Sequence, residues 1–418
     1  MARRMSADGV SPGFLRFWWG EAVSGFGDAI TLLALQTLVV VTLQGGAVQV
    51  GWLNSARWLP YLVLGLVVGA LIDRVRRRPV MVVTDLTRAV LLTLIPLAWA
   101  LNVLAFPLLL IVVIMFGTAS LINDAASLSF VPRLVPRAKL QRAHARLDGA
   151  SAVAQTAGPA VAGALIRVIG APLSVLVDAL TYLFSAVMVT TLRSVPEPAP
   201  VHSTRAHVRG LVADIRTGTR WIYSGSDLSR LAVATHVWFA AQAVLLVVMP
   251  PYAFLQLQLS PFQLGLVFAV AGLGALVGAV ASTPVGNRLG TGGAIICSYA
   301  ISSVGVVIML AAALPPTGWA AAAVLAAGQF CHGWAMGVSN SHEMSYRQAL
   351  TPDELQARTN TTMRSLNRAV LVIVSPIAGV VVGWFGFGPA LIAAAVVFAA
   401  SALILALSRF RRAQVNDI

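Results

Sequence analysis

Long apolar stretches recur along the whole chain, and no other feature of the sequence restricts its fold so strongly. Stretches of about 18–25 residues are long enough to cross the hydrocarbon core of a bilayer as helices. The composition agrees, because 58% of the 418 residues are hydrophobic and only 11% are charged, whereas a soluble domain carries roughly 25% charged residues. No stretch alternates with a period of two, as the strands of a membrane barrel do. The sequence therefore predicts an all-α membrane protein.

Twelve transmembrane helices in two pseudo-symmetric halves are predicted. The spans cover roughly residues 17–43, 50–72, 80–100, 107–128, 145–169, 173–192, 230–254, 262–285, 294–314, 319–341, 362–384 and 389–408. The predicted domains are an N-terminal six-helix half over 1–193, a cytoplasmic central loop over 194–229 and a C-terminal six-helix half over 230–418. Within the loop, Leu211, Ile215 and Ile222 recur at near-helical spacing among arginines, which favours a short amphipathic helix on the inner membrane surface.

The distribution of positive charge orients these spans. All but three of the 29 basic residues fall in alternate connections, at the adjoining starts of spans or at the two ends of the chain; the exceptions are Arg57, Arg88 and Arg167. By the positive-inside rule, the basic connections and both termini are cytoplasmic. A nucleic-acid surface would instead gather its charge on one folded face, so the expected surroundings are a lipid bilayer, without nucleic acid. The preference for arginine over lysine is typical of a GC-rich genome, which indicates a bacterial cytoplasmic membrane.

The two halves resemble a repeat of one another. Three residues near the start of the fifth span are matched 216 positions later, before the eleventh: Pro136, Arg142 and His144 correspond to Pro352, Arg358 and Asn360. The second span ends in Asp73-Arg74 and the eighth in Asn287-Arg288. Parallel repeats of six spans each build one large class of transporters, in which the substrate site lies between the halves near the middle of the bilayer.

The loop after the second span carries the first family resemblance. It reads GALIDRVRRR, with a glycine, an Asp-Arg pair and a basic cluster, and the residues of interest are Gly69, Asp73, Arg74, Arg77 and Arg78. This string resembles the signature loop of the major facilitator superfamily, although a second glycine is usual where an arginine stands here. The resemblance implies a gate that closes the cytoplasmic side. Independently of it, a glycine permits close helix approach, and arginines hold a loop at the inner lipid surface.

Further strings extend the resemblance over the whole chain. SGFGDAI, LPYLVLGLVVGALIDR, TDLTRAVL, VDALTYLFSAV and MPPYAF are similar to the branch that contains the enterobactin exporter and macrolide efflux proteins. In the fifth span, Gly158-Pro159 followed by Gly163 resembles the antiporter signature of exporters, with alanines at two positions where glycines are usual. The resemblance implies export.

Two acidic residues lie within the first span. Glu21 and Asp28 are seven residues apart and therefore share one helix face, with Ser24 and Gly25 between them. A charge in the middle of a span costs about 2.5–3.5 kcal/mol on insertion scales, so such residues are usually functional or paired. Asp28 is the first candidate for a group that binds and releases a proton during transport. The alternative is a hydrogen bond to a neighbouring helix.

Other polar residues within spans are candidates for the coupling site or the substrate cavity. The repeat relates Asp28 to Gln242, for which a binding role and a core hydrogen bond are both open, and His236 lies nearby. Asn123-Asp124 belongs either to substrate recognition or coupling, or to a local pair with Arg133 or Arg137. Arg57 suits attraction of an anionic substrate or pairing with a carboxylate. Asp85 and Arg88 are predicted to form an i, i+3 pair, and His332 and Glu343 are weaker candidates.

The sequence contains no recognisable catalytic or metal-binding constellation. Its two cysteines, Cys297 and Cys331, have no metal or disulfide spacing, and no phosphate-binding loop of the form GxxxxGK[ST] occurs. An enzyme is not expected, and neither a cofactor nor ATP is expected to drive the protein, so the energy source is a proton gradient. The predicted function is a monomeric, proton-coupled exporter of a small amphipathic molecule such as an antibiotic or siderophore. The alternatives are a lipid or lysolipid flippase on the same fold and a membrane sensor or assembly subunit that does not transport.

Overall fold

The computed structural model describes residues 11–72, 75–192, 216–224 and 227–414, and every regular element in these ranges is helical. The helices before the central loop are α1 (Pro12–Thr37, extended by a π-helical turn over Leu38–Thr42), α2 (Ala47–Ile72), α3 (Arg77–Ala100), α4 (Phe106–Leu134), α5 (Leu140–Ile169) and α6 (Ala171–Thr190). Those after it are α7 (216–222), α8 (Asp227–Pro251), α9 (Pro261–Ala311), α10 (Trp319–Leu350), α11 (Asp353–Phe385) and α12 (Phe387–Ala406).

Nine helices in the described ranges are long and apolar enough to cross a membrane. One of them, α9, has 51 residues, about twice what a single crossing requires. It is interrupted at Gly290, whose backbone has φ 70° and ψ 169°. This break lies between the predicted eighth and ninth spans. The single element α9 therefore contains both of these predicted spans.

Helix starts follow local sequence signals. Ser11 precedes Pro12, and its Oγ accepts a hydrogen bond from the backbone N–H of Phe14 at 3.2 Å. Ser260 and Gln263 form a capping box at the start of α9. Both arrangements satisfy backbone donors that the first helical turn leaves without partners.

Two tight helix–helix connections depend on glycine. Gly170 joins α5 to α6 with φ 81°, and Gly386 joins α11 to α12 with φ 83°, a region that side chains with a Cβ rarely adopt. The two glycines are separated by the same 216 residues that relate Pro136 to Pro352. The repeat seen in the sequence therefore extends to the backbone conformation of these turns.

The chain divides into two compact units, one of Met1–Leu38 with Leu59–Val208 and the other of Val39–Trp58 with Arg209–Ile418. In the first, α1 packs on α5 and α6, and α3 packs on α4 and α6. In the second, α9 packs extensively on α10, and α8 on α11 and α12. The Ala47–Trp58 part of α2 belongs to the second unit, where it packs closely on α11. A Cβ built on Gly51 would lie 3.2 Å from Pro376 Cα of α11.

Glycines set the closest helix contact of the second unit. On α9, Gly274 and Gly278 lie against the backbone of Phe330 and Trp334 in α10, and on α10, Gly333 and Gly337 lie against the backbone of α9. Each pair is a GxxxG spacing, which lets helix backbones approach closely within a membrane. A Cβ at any of these positions would overlap a backbone carbonyl oxygen.

Candidate functional site: a buried acidic cluster

The predicted polar stripe of α1 contacts two other helices of the first unit. Asp28 is half-buried, and its Oδ1 accepts a hydrogen bond from the Tyr182 hydroxyl of α6 at 2.6 Å. Glu21, also half-buried, accepts a hydrogen bond from Ser127 of α4 at 3.1 Å. The two carboxyl groups thus lie on one helix face but bind different partner helices.

Asp178 of α6 lies beside this stripe and is fully buried. Its Oδ2 accepts a hydrogen bond from Thr31 of α1 at 2.5 Å, and its Oδ1 accepts one from Thr181 at 2.9 Å. Both of these donors are neutral hydroxyls. Gly27 makes room for the carboxyl group, because a Cβ there would overlap Asp178 Oδ1 and Thr181 Oγ1.

Arg88 supplies the positive charge of the cluster. It forms the predicted ion pair with Asp85, and its guanidinium carbon lies 4.0 Å from the centroid of the Tyr182 ring. Asn123 joins this group through Nδ2, which donates to Asp85 Oδ1 at 3.0 Å and to Thr84 Oγ1 at 2.8 Å. All four of Asp85, Arg88, Asn123 and Tyr182 are buried.

The cluster contains more carboxyl groups than guanidinium groups. Asp85 lies on α3 with Arg88, Asp178 lies on α6, which packs on α3, and Glu21 and Asp28 lie on α1, which packs on α6. A buried carboxylate without a cationic partner is costly, and a carboxyl group removes that cost by binding a proton. The arrangement is therefore chemically suited to proton uptake and release.

Asp124 lies at the edge of this cluster. It is exposed, and its Oδ2 accepts a hydrogen bond from Tyr61 of α2 at 2.7 Å. Although Asn123 and Asp124 are adjacent in sequence, their side chains thus contact different helices. Asn123 belongs to the buried network of Asp85 and Thr84, and Asp124 contacts Tyr61.

The predicted cytoplasmic gate is described only in part. Asp73 and Arg74 lie outside the described residues, so their roles remain predictions. Arg78 donates to the backbone oxygens of Val189 at 3.1 Å and Thr190 at 2.6 Å, at the C-terminal end of α6 where carbonyl groups lack helical partners. Arg77 is buried.

Gly69 is an exposed residue of α2. A Cβ built on Gly69 meets no atom of the described residues within 4 Å. Its part in close helix approach and in the gate stays a prediction.

The antiporter-like motif of α5 packs directly beside the acidic stripe. A Cβ on Gly158 would overlap the Cβ of Ala29, the residue after Asp28. Pro159 lies within α5, and Gly163 is buried one turn further on. Gly158 therefore brings α5 close to α1 at the level of Asp28.

In the second unit, Gln242 and His332 form a hydrogen bond of 2.9 Å between Oε1 and Nε2. The His332 ring stacks on Trp238 with centroids 5.8 Å apart and planes inclined by 10°, and Phe398 packs against both rings. His332, Trp238 and Phe398 are buried. Gln242 thus forms a hydrogen bond to another helix, which was one of its two interpretations; the other was a role in substrate binding.

A further carboxyl group of the second unit lies at the opposite end of the same aromatic cluster. Glu343 of α10 accepts a hydrogen bond from the Tyr299 hydroxyl at 2.9 Å and one from Thr235 at 3.4 Å. Tyr299 in turn stacks on Trp238. Glu343 thus resembles Asp178 in having hydroxyl groups as hydrogen-bond donors.

His236 lies apart from Gln242 and bridges three segments. Its Nδ1 is 2.7 Å from Asn367 Oδ1 of α11, and its Nε2 is 2.6 Å from the Tyr223 hydroxyl. The amide oxygen of Asn367 only accepts, so Nδ1 of His236 donates in that hydrogen bond. The Tyr223 hydroxyl can donate to Nε2 or accept from it, because a hydroxyl does both.

Arg57 and Arg368 lie against one aromatic ring in the second unit. Their guanidinium carbons are 5.7 Å and 5.5 Å from the centroid of Trp58. No carboxylate within the described ranges forms an ion pair with Arg57, so the predicted pairing with a carboxylate is not seen there. Two guanidinium groups on one ring favour an anionic neighbour over a cationic one.

The fold and the acidic cluster define a multi-pass membrane protein that holds charged groups among its spanning helices. The sequence profile described as transmembrane secretion effector, within the major facilitator superfamily, matches residues 10–418, and the chain belongs to this family. It is therefore a transporter of the bacterial cell membrane and not an enzyme.

Several known proteins are similar over much of the chain. The multidrug efflux pump Tap of Mycobacterium tuberculosis is 29% identical over 318 residues, which cover 73% of this chain and 72% of that protein. Macrolide efflux protein A of Streptococcus pyogenes is 26% identical over 188 residues, covering 43% of this chain and 44% of that protein. The expected resemblance to efflux proteins of the superfamily is confirmed.

Solved structures share the fold. A bacterial homologue of the iron transporter ferroportin, in an inward-facing state, superposes with a TM-score of 0.72 at 17% identity, covering 93% of this chain and 98% of that one. A bacterial homologue of the lysosomal transporter Spinster gives 0.65 at 15% identity, covering 96% of both chains. At these identities the similarity concerns architecture alone.

Sequence reasoning did not place Asp178 and Tyr182 in the candidate site. Both lie in the string VDALTYLFSAV, whose acidic residue inside an apolar span was the available signal. The string alone does not indicate that this face of α6 packs against Thr31 and Asp28 of α1.

Proposed function

We propose that this protein is a proton-coupled secondary transporter that exports a small amphipathic molecule, such as a drug, an antibiotic or a siderophore. It acts by alternating access as a monomer of twelve transmembrane helices with both termini in the cytoplasm. A proton gradient supplies the energy, and no cofactor takes part. The observation that carries the proposal is the acidic cluster around Asp28 and Asp178, with its excess of carboxyl groups.

The proposal assigns a different role to each part of the cluster. Asp28, half-buried and bonded to Tyr182, exchanges protons with the transport pathway. Arg88, which is paired with Asp85, provides a positive charge that favours the ionised state of neighbouring carboxyl groups. Moving one elementary charge across 100 mV releases about 2.3 kcal/mol, enough to bias a transport cycle strongly in one direction.

The names of two relatives support the substrate class. They are called a multidrug efflux pump and a macrolide efflux protein. An outward direction of transport agrees with the position of Gly158 against Ala29, since this glycine belongs to the antiporter-like motif.

The test measures coupling separately from movement of substrate. Everted membrane vesicles would be given an acid-inside pH gradient and a radiolabelled macrolide or an amphipathic fluorescent dye. Wild-type protein is expected to accumulate the probe, whereas Asp28→Asn should lose accumulation driven by the gradient and retain exchange of labelled for unlabelled probe. Asp148→Asn, a change at an exposed acid of α5, is the matched control and should behave as wild type.

Full gradient-driven accumulation by Asp28→Asn would remove the coupling role of this residue. Translocation of a fluorescent phospholipid that is indifferent to the pH gradient would instead support the flippase. Binding of a probe without any flux would support the sensor or assembly subunit.

A further inference from the structure

A pocket of about 540 Å³ lies beside the short helix α7. Its walls are formed by Arg216, Thr217, Arg220, Trp221 and Ser224, with Leu355 of α11 opposite. The volume falls within the range of ordinary small-molecule sites. None of these residues belongs to the acidic cluster.

The protein interior holds α7 in place. Ile222 is fully buried in a cluster with Leu228, Ala232 and Met363, and Trp221 packs against this cluster. Gly218 touches α11 so closely that a Cβ would lie 2.7 Å from Thr362 Oγ1 and 3.1 Å from the Arg358 carbonyl oxygen. The apolar side of α7 therefore packs on the protein through Ile222, whereas the sequence pattern had favoured packing on lipid; Leu211 and Ile215 lie outside the described residues.

This anchoring leaves two arginines directed at the pocket. Arg216 and Arg220 are one helical turn apart, so they share a face, and both are exposed. Within the described ranges neither forms an ion pair with a carboxylate. Two adjacent guanidinium groups repel one another unless an anion lies between them.

The remaining wall of the pocket combines polar and apolar side chains. Trp221 lines the pocket and also packs against the cluster of Ile222. Thr217, Ser224 and Leu355 complete the wall. The two arginines are therefore the charged groups that line this pocket.

We propose that this pocket binds the phosphate of an anionic phospholipid headgroup. Arginine pairs bind phosphate oxygens through parallel N–H donors, and basic residues just inside the cytoplasmic surface attract anionic lipid. The rings and chains of Trp221 and Leu355 suit the less polar glycerol region, which a free phosphate lacks. The inference rests on the cytoplasmic placement of the central loop in the proposed topology.

Native mass spectrometry of the purified full-length chain tests the proposal. Protein equilibrated with equal amounts of phosphatidylglycerol and phosphatidylcholine should retain the anionic lipid preferentially. The double variant Arg216→Gln/Arg220→Gln is expected to reduce that retention about tenfold or more. Arg411→Gln/Arg412→Gln, which removes two exposed arginines of the C-terminal 3₁₀ helix, should retain it as wild type does.

Three outcomes would overturn the proposal. The first is a wild type without preference for phosphatidylglycerol. The second is an equal loss of that preference in both double variants. The third is complete displacement of the lipid by inorganic phosphate at millimolar concentration, which would identify a site for a free anion. If the pocket double variant fails to fold, the single variants Arg216→Gln and Arg220→Gln serve instead, and each should lower retention several-fold.

The assay uses neither a transported substrate nor a proton gradient. Its result is therefore independent of whether Asp28 couples transport to protons. If the wild type does not retain phosphatidylglycerol but still transports along the proton gradient, only this inference fails. If the wild type retains the lipid but shows no gradient-driven transport, only the proposed function fails.

Discussion

The hydroxyl of Tyr182 donates a hydrogen bond to Asp28 across 2.6 Å, while the ring of the same tyrosine carries the guanidinium group of Arg88 on its face at 4.0 Å. One side chain of α6 therefore connects an acid of α1 with a base of α3. The ring also packs against Phe116 of α4 at a centroid distance of 5.9 Å. Changes at residue 182 can separate the polar role of the hydroxyl from the packing role of the ring.

Tyr182→Phe removes the donor to Asp28 and leaves the ring in place. Hydrogen bonds to charged groups contribute about 1.5–3 kcal/mol to stability, so the melting temperature of the purified protein should fall by several degrees. Because Asp28 loses its donor, we also expect gradient-driven efflux to fall. Tyr182→Leu, which also removes the face that Arg88 contacts, should lower both. Wild-type efflux by Tyr182→Phe would mean that this hydrogen bond has no part in coupling.

Gly27→Ala places a methyl group where Asp178 and Thr181 already lie. Overpacking of a filled interior costs about 1–3 kcal/mol, so the melting temperature and the efflux activity should both fall. Gly25→Ala is the control, because its Cβ would lie 3.7 Å from the Cβ of Ala154, an ordinary contact. Equal behaviour of the two variants in a thermal-shift assay would contradict the close approach of Gly27 to Asp178.

Glu343→Leu removes the carboxyl acceptor of the buried Tyr299 hydroxyl and leaves Thr235 Oγ1, 3.1 Å away, as its hydrogen-bond partner. A hydrogen bond contributes about 0.5–1.5 kcal/mol net, so thermal stability should decrease measurably. Glu343→Gln retains an acceptor oxygen at the same place and should remain close to wild type in stability. Comparable losses in both variants would show that the charge of Glu343, and not its role as acceptor, stabilises the second unit.

Gly278→Val is expected to disrupt the contact between α9 and α10, since even a Cβ there would overlap the Trp334 carbonyl oxygen. The purified variant should unfold at a clearly lower temperature or fail to accumulate in the membrane. Gly65→Ala serves as the comparison, because a Cβ at that position of α2 meets no described atom within 4 Å. Alanine also favours helix by up to about 1 kcal/mol over glycine, so this variant should be as stable as the wild type or more so.

Periodicity and charge in the sequence predicted much of the local structure. The i, i+3 spacing of Asp85 and Arg88 predicted their ion pair, which the structure contains. The seven-residue spacing of Glu21 and Asp28 predicted a shared helix face, and the break near Gly290 lies between two predicted spans. These features depend on residues close together in the chain, for which helix geometry alone sets the distances.

The length and hydropathy of the spans and the short motifs of the loops are local properties, so the sequence is enough to identify a helical membrane protein and a member of a transporter superfamily. Which polar residues meet depends on the tertiary structure. Asp178 contacts Thr31 across 147 positions of the chain, and Tyr182 contacts Asp28 across 154. Such contacts follow from which face α6 turns towards α1, and that choice results from packing summed over both helices, including the fit of Gly27 against Asp178.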